Sequence, residues 1–131
     1  MTNGRFEYRK VPKHWKWVTL SRYWEAVPII GQEVGSPPYL HLTKNGILLI
    51  SKGYAWDGAS GPAWDTKSCI RGSCIHDALY QLLRLGLLPM EHKSAADLVY
   101  RRDCLEDGMH PSRAWWHWKA VDRYGHRALG A

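Results

Sequence analysis

Long apolar runs are missing from this chain. No window approaches the ~20 consecutive apolar residues of a membrane-spanning helix, and the opening MTNGRFEYRK lacks the apolar stretch of a signal peptide. The expectation is a soluble protein with no transmembrane segment, not exported by the usual route. Cysteine is scarce and odd in number: Cys69, Cys74 and Cys104 do not make a disulfide framework and match no strong zinc spacing. Reduced thiols in a reducing compartment are expected. Internal repeats, low-complexity tracts and flexible linkers are lacking too, which excludes solenoids and disordered chains. Phenylalanine occurs once, whereas tryptophan occurs eight times. So many indoles cannot all be interior in 131 residues, so some are expected at a partner, ligand or membrane interface.

The net charge of +6 favours acidic partners, phospholipid headgroups among them. The basic residues are scattered, however, with only short clusters such as Arg9-Lys10 and Arg101-Arg102, so nucleic acid is not the expected partner.

The length fits one domain, 1–131, and one core. Residues 1–54 favour strands: FEYRKV and WKWVTLSRYWEAV are aromatic and β-branched with partial alternation. Tyr39–Thr43 and Ile47–Ile50 flank Lys44-Asn45-Gly46, where Asn-Gly predicts a tight hairpin turn with positive φ angles. Residues 53–67, GYAWDGASGPAWDTK, hold three glycines, a proline and two aspartates and read as an irregular loop. Three helices are expected in 68–128. The first runs from Ser68 to Leu85 and closes at Gly86, and the second from Ser94 to Glu106 and closes at Gly108. The third follows Pro111, with Ala114, Trp115, Trp118, Val121 and Gly125 as one stripe. The expected fold is α+β, a β-rich N-terminal part packed on three C-terminal helices.

Concentrated chemistry is found in CIHDALYQLL. On a helix, His76 and Tyr80 share a face while Asp77 points about a hundred degrees away. This arrangement suits Asp77 holding a hard cation while His76 activates an adjacent water. His-Asp-x-x-Tyr on one helix, followed by Ala96-Asp97 on a second, resembles the catalytic core of the phospholipase A-two superfamily. That resemblance implies His76 as general base, Asp97 orienting its imidazole and Tyr80 supporting the network. It also implies calcium held by Asp77, with backbone carbonyls of the glycine-rich loop, Gly58 among them, completing its shell; Asp57 in the same loop is a further metal candidate. The cysteine-rich calcium loop of the secreted enzymes is absent, and the loop has its own pattern. Over a wider span, GYAWDGASGP, CIHDALY and AADLVY together resemble a phage and prophage family, domain of unknown function 1353. This implies a viral or prophage origin, with host cytoplasm or virion as location and phage particle proteins as partners, but no activity. Anionic phospholipid is the partner the phospholipase resemblance implies.

Plainer readings stand beside these. His76 also reads as a partly buried helical histidine, Asp77 as a solvated carboxylate, and Asp97 as the acidic member of a capping box, Ser94-Ala95-Ala96-Asp97. Asp57 also fits a turn that bonds its own backbone amides. Tyr80, Trp115 and Trp118 read as core, and Trp56 and Trp64 as the rim of the loop. The leading expectation is a phage-encoded, calcium-dependent, phospholipase-like ester hydrolase. The rivals are a non-catalytic virion or host-interaction protein, and a cell-wall hydrolase with a metal on Asp57, His76 and Asp97.

Overall fold

The structure is a computed structural model that describes residues 2–11, 17–57 and 66–130. The fold is α+β, with strands confined to the N-terminal part and helices to the C-terminal part. The chain divides into two compact units, Met1–Asp57 and Gly58–Ala131, the division falling inside the glycine-rich stretch.

The first unit carries seven short strands among the described residues: β1 (Tyr8–Lys10), β2 (Trp17–Thr19), β3 (Tyr23–Ala26), β4 (Val34–Ser36), β5 (Leu40–Leu42), β6 (Ile47–Ile50) and β7 (Ala55–Trp56). They form two antiparallel sheets, one ordered β1-β2-β7 and the other β3-β6-β5-β4. In the second sheet Leu40 pairs with Ile50 and Leu42 with Leu48, and all four side chains are buried. His41 between them is exposed, the period-two alternation of a strand with one covered face. Burying each of these leucines and isoleucines contributes roughly 1.5–3 kcal/mol.

The connection between β5 and β6 differs from the expected Asn-Gly turn. Gly46 donates to the Thr43 carbonyl (2.9 Å), and Thr43 donates to Ile47 (2.9 Å). Only Gly46 takes a positive φ, +84°, and Asn45 does not. A tight turn ending in one left-handed glycine thus closes the pair, in place of a turn with two left-handed residues. The expected loop 53–67 is also partly ordered as strand, since β7 pairs with β2. Trp56, expected at a rim, is buried at 1% exposure, near Phe6 and Tyr54. Trp64 lies outside the described residues.

Among the described residues the second unit has three helices, α1 (Lys67–Arg84), α2 (Lys93–Glu106) and α3 (Pro111–Ala128), and a 3₁₀ turn at Met90–His92. α1 and α2 end alike. Leu87 donates to Leu82 and Gly86 to Leu83, and Met109 donates to Cys104 and Gly108 to Leu105. These are Schellman endings with a left-handed glycine, Gly86 and Gly108, just past the last turn. α3 starts with Pro111 at its first position, where a missing N–H costs nothing, and the His110 side chain accepts from Ser112 N–H (3.2 Å).

α1 and α2 pack antiparallel. Arg71, 8% exposed, reaches Asp107 (3.0 Å), Glu106 (3.0 Å) and Asp103 (3.5 Å), pinning the start of α1 to the end of α2. A Cβ on Gly72 would lie 3.2 Å from both Cys104 Sγ and the Tyr100 ring, which measures how closely the helices approach. The buried residues of α3 are Ala114, His117 and Gly125. Trp115, expected within that stripe, is 37% exposed, because a helix turns it a hundred degrees from Ala114.

Candidate functional site

The antiparallel crossing of α1 and α2 places His76 against Asp97. His76 Nε2 lies 2.8 Å from Asp97 Oδ1, and the Tyr80 hydroxyl donates to the same oxygen at 2.6 Å. Lys93 Nζ donates to the other oxygen, Oδ2, at 2.7 Å. All of Asp97 is buried, as are His76 and Tyr80, with 6% and 4% exposed.

Three helices contribute. Tyr80 sits one turn beyond His76 on α1, and its ring packs on the imidazole with centroids 4.0 Å apart. Tyr100, one turn beyond Asp97 on α2, flanks the imidazole at 5.3 Å. Its hydroxyl pairs with His117 Nδ1 of α3 at 2.7 Å. Lys93 also donates to the α3 carbonyls of Asp122 (3.2 Å) and Val121 (3.4 Å). Gly125 of α3 leaves the space that the Tyr80 hydroxyl enters, since a Cβ there would stand 2.0 Å from that oxygen.

The electrostatics follow from this enclosure. Burial by itself would raise the Asp97 pKa, but hydrogen bonds from His76, Lys93 and Tyr80 outweigh it and hold the carboxyl below the usual aspartate value. Burial, then the hydrogen bond to Asp97, pushes the Tyr80 phenol well above its usual value, so it remains a donor. Burial and the charge of Arg113 hold the His117 imidazole below the usual value. An anionic Asp97 fixes the His76 proton on Nε2, which makes Nδ1 the basic nitrogen of the neutral ring. Nδ1 has no hydrogen-bond partner among the described residues.

The expected capping-box reading of Asp97 does not survive. α2 begins at Lys93, with His92 at its N-cap, so Ser94 is already inside the helix and Asp97 lies a full turn in. Its oxygens serve His76, Tyr80 and Lys93. One of those donors is the Lys93 ammonium, 2.7 Å from Oδ2.

The expected calcium ligands lie in separate places along the chain. Asp77 is half-buried beside the dyad, and its charge reaches Tyr80. Asp57 is exposed in the first unit, and Gly58 lies outside the described residues. Calcium takes roughly six to eight oxygen ligands. Among the described residues no cluster of three or more His, Cys, Asp or Glu side chains stands ready for a metal. The three cysteines are buried free thiols.

Lys93, Tyr100, His117 and the role of Gly125 are additions to the residues expected from sequence. The spacing of Lys93 to Asp97, four apart on a helix, was the readable signal for the first. Asp97 and Tyr100 at three apart likewise share a face. Nothing local marks His117, whose partner comes from another helix.

No family of known proteins, no curated protein and no solved structure matches the chain. The geometry of the helical unit therefore carries the functional reading. Among the described residues no helix is long and apolar enough to cross a membrane.

Proposed function

We propose that this is a phage-encoded, phospholipase-like hydrolase acting on the esters of anionic lipids, with His76 as general base. The observation that supports it is an imidazole clamped through one nitrogen by a buried carboxylate, while the other nitrogen is left without a partner among the described residues. In this reading Nδ1 takes a proton from water as the water oxygen bonds to the ester carbonyl carbon. The carbonyl π electrons move to its oxygen. When they return, the C–O bond to the alcohol breaks, and the alcohol leaves with the proton from His76. Asp97 holds the ring in the productive tautomer and stabilises the imidazolium formed on the way. Tyr80 and Lys93 hold Asp97 in place and anionic.

Calcium dependence belongs to the same proposal. It rests on Asp77 beside the dyad and on the resemblance of His76-Asp77-x-x-Tyr80 to the phospholipase A-two core, and the steps above do not pass through the ion. The phage origin rests on the resemblance of GYAWDGASGP, CIHDALY and AADLVY to domain of unknown function 1353, and in this reading the protein acts in the host cytoplasm or the virion.

The test is fatty-acid release from anionic vesicles, with and without chelator, for wild type and His76→Ala. Loss of a general base costs ~10²–10⁴ in rate. Wild-type release that requires calcium and vanishes in the variant is expected. Full activity in His76→Ala, or no release by wild type across several anionic lipids, overturns the hydrolase. The non-catalytic virion or host-interaction reading, favoured by the exposure of Trp115 and Trp116, would then stand in its place.

A further inference from the structure

The helical unit presents a second feature, remote in kind from the dyad. On α3 the residues Trp116, Lys119, Arg123 and Arg127 recur at helical spacing and form one outward stripe, opposite the buried Ala114, His117 and Gly125. Trp116 is 67% exposed, Tyr124 50% and Trp115 37%. Between its first and last residues α3 carries Arg113, Lys119, Arg123 and Arg127 against a single carboxylate, Asp122. Among the described residues Lys119, Arg123 and Arg127 have no carboxylate partner. Exposed indoles beside cations that lack a carboxylate partner are the combination of a helix lying in the headgroup layer of an anionic bilayer.

We propose that the outward face of α3 docks on the surface of an anionic membrane, with Trp115 and Trp116 at the headgroup boundary and Lys119, Arg123 and Arg127 on the lipid phosphates. This deepens the lipid-ester reading and rests on it for the substrate, while the docking is measured without catalysis. The ring geometry favours lipid over single-stranded nucleic acid. Bases stack on open aromatic faces. Here Trp115 and Trp116 meet edge to face at 5.0 Å, and Arg101 and Lys119 stand 5.4 and 5.8 Å from the centre of the Trp118 ring. Arg127 and Arg123 cover Tyr124 at 5.5 and 5.8 Å. The rings therefore offer apolar bodies flanked by cations instead of free stacking platforms.

The experiment is co-sedimentation in chelator with vesicles of equal parts phosphatidylcholine and phosphatidylglycerol, against pure phosphatidylcholine, with a single-stranded oligonucleotide in a separate arm. Wild type and His76→Ala are expected to bind the anionic vesicles alike and to release in high salt. Each cation near such a surface is worth about 1 kcal/mol, so Arg123→Gln with Arg127→Gln should partition roughly thirtyfold more weakly. Trp116→Ala should weaken binding as well, with the melting temperature of both variants unchanged. Equal binding to pure phosphatidylcholine, variants that partition like wild type, or tighter binding to the oligonucleotide overturns the docking. Binding by a protein that hydrolyses nothing supports the docking and overturns only the hydrolase. Hydrolysis of dispersed short-chain lipid without vesicle binding overturns only the docking.

Discussion

Gly125→Ala gives the sharpest test of how the dyad is held. At an ordinary mid-helix position, glycine to alanine stabilises by ~1 kcal/mol, through lower backbone entropy in the unfolded chain. At Gly125 the new Cβ would stand 2.0 Å from the Tyr80 hydroxyl oxygen and 2.9 and 3.1 Å from two ring carbons. Overpacking of that kind costs ~1–3 kcal/mol. If the phenol moves, the 2.6 Å hydrogen bond to Asp97 goes with it, a further ~1.5–3 kcal/mol for a bond to a charged group. The clash therefore outweighs the propensity gain, leaving a net loss of ~3 kcal/mol, or roughly 10 °C in melting temperature for a chain of this size. Tyr80→Phe removes the nearest clashing atom, so in that background Gly125→Ala should cost much less. Thermal and urea unfolding of the four proteins in the cycle would show a coupling of ~1–3 kcal/mol. Stabilisation by Gly125→Ala in the wild-type background, or additive effects of the two substitutions, refutes the placement of Tyr80.

Two further outcomes follow from the same enclosure. Because the folded Asp97 pKa is lowered, its contribution is present above the unfolded aspartate value near 3.9 and is lost as pH falls through the folded value. Asp97→Asn leaves Lys93 without its carboxylate, so urea unfolding should show the variant well below wild type at neutral pH, with the gap closing below about pH 4. A gap independent of pH would contradict the anionic carboxylate. Burial and the neighbouring Cys69 push the Cys104 thiol up to about 12, and all three cysteines are buried. Intact-mass analysis after alkylation should find none modified in the native protein and all three in denaturant; rapid native labelling of Cys104 would show that its surroundings are open.

The division between chain and fold is visible in particular residues. Helix ends were legible because their causes are local: Gly86 and Gly108 stop α1 and α2 through backbone conformation, and Pro111 starts α3 through its missing N–H. His76 and Tyr80 on one face of α1 followed from helical period alone. The α+β class was legible for the same reason, from residue type and alternation. The Asn45-Gly46 pair does not form the expected two-residue turn, since among the turn residues only Gly46 is left-handed. Trp56 is buried and not at a rim, because its burial depends on pairing of β7 with β2, a contact between segments far apart in the chain. As sequence, Asp97 fits a cap, an orienter of His76 or a metal ligand; local spacing does not choose among them, and only the packing of α2 against α1 brings its oxygen to 2.8 Å from His76. Lys93 and Gly125 complete the site through α3, the first on two backbone carbonyls and the second by leaving room for a hydroxyl. Sequence settled which residue types could do chemistry and where helices begin and end, since these depend on neighbours along the chain. Which carboxylate meets which imidazole was decided by tertiary packing, because hydrogen bonds between helices depend on distances that no local pattern encodes.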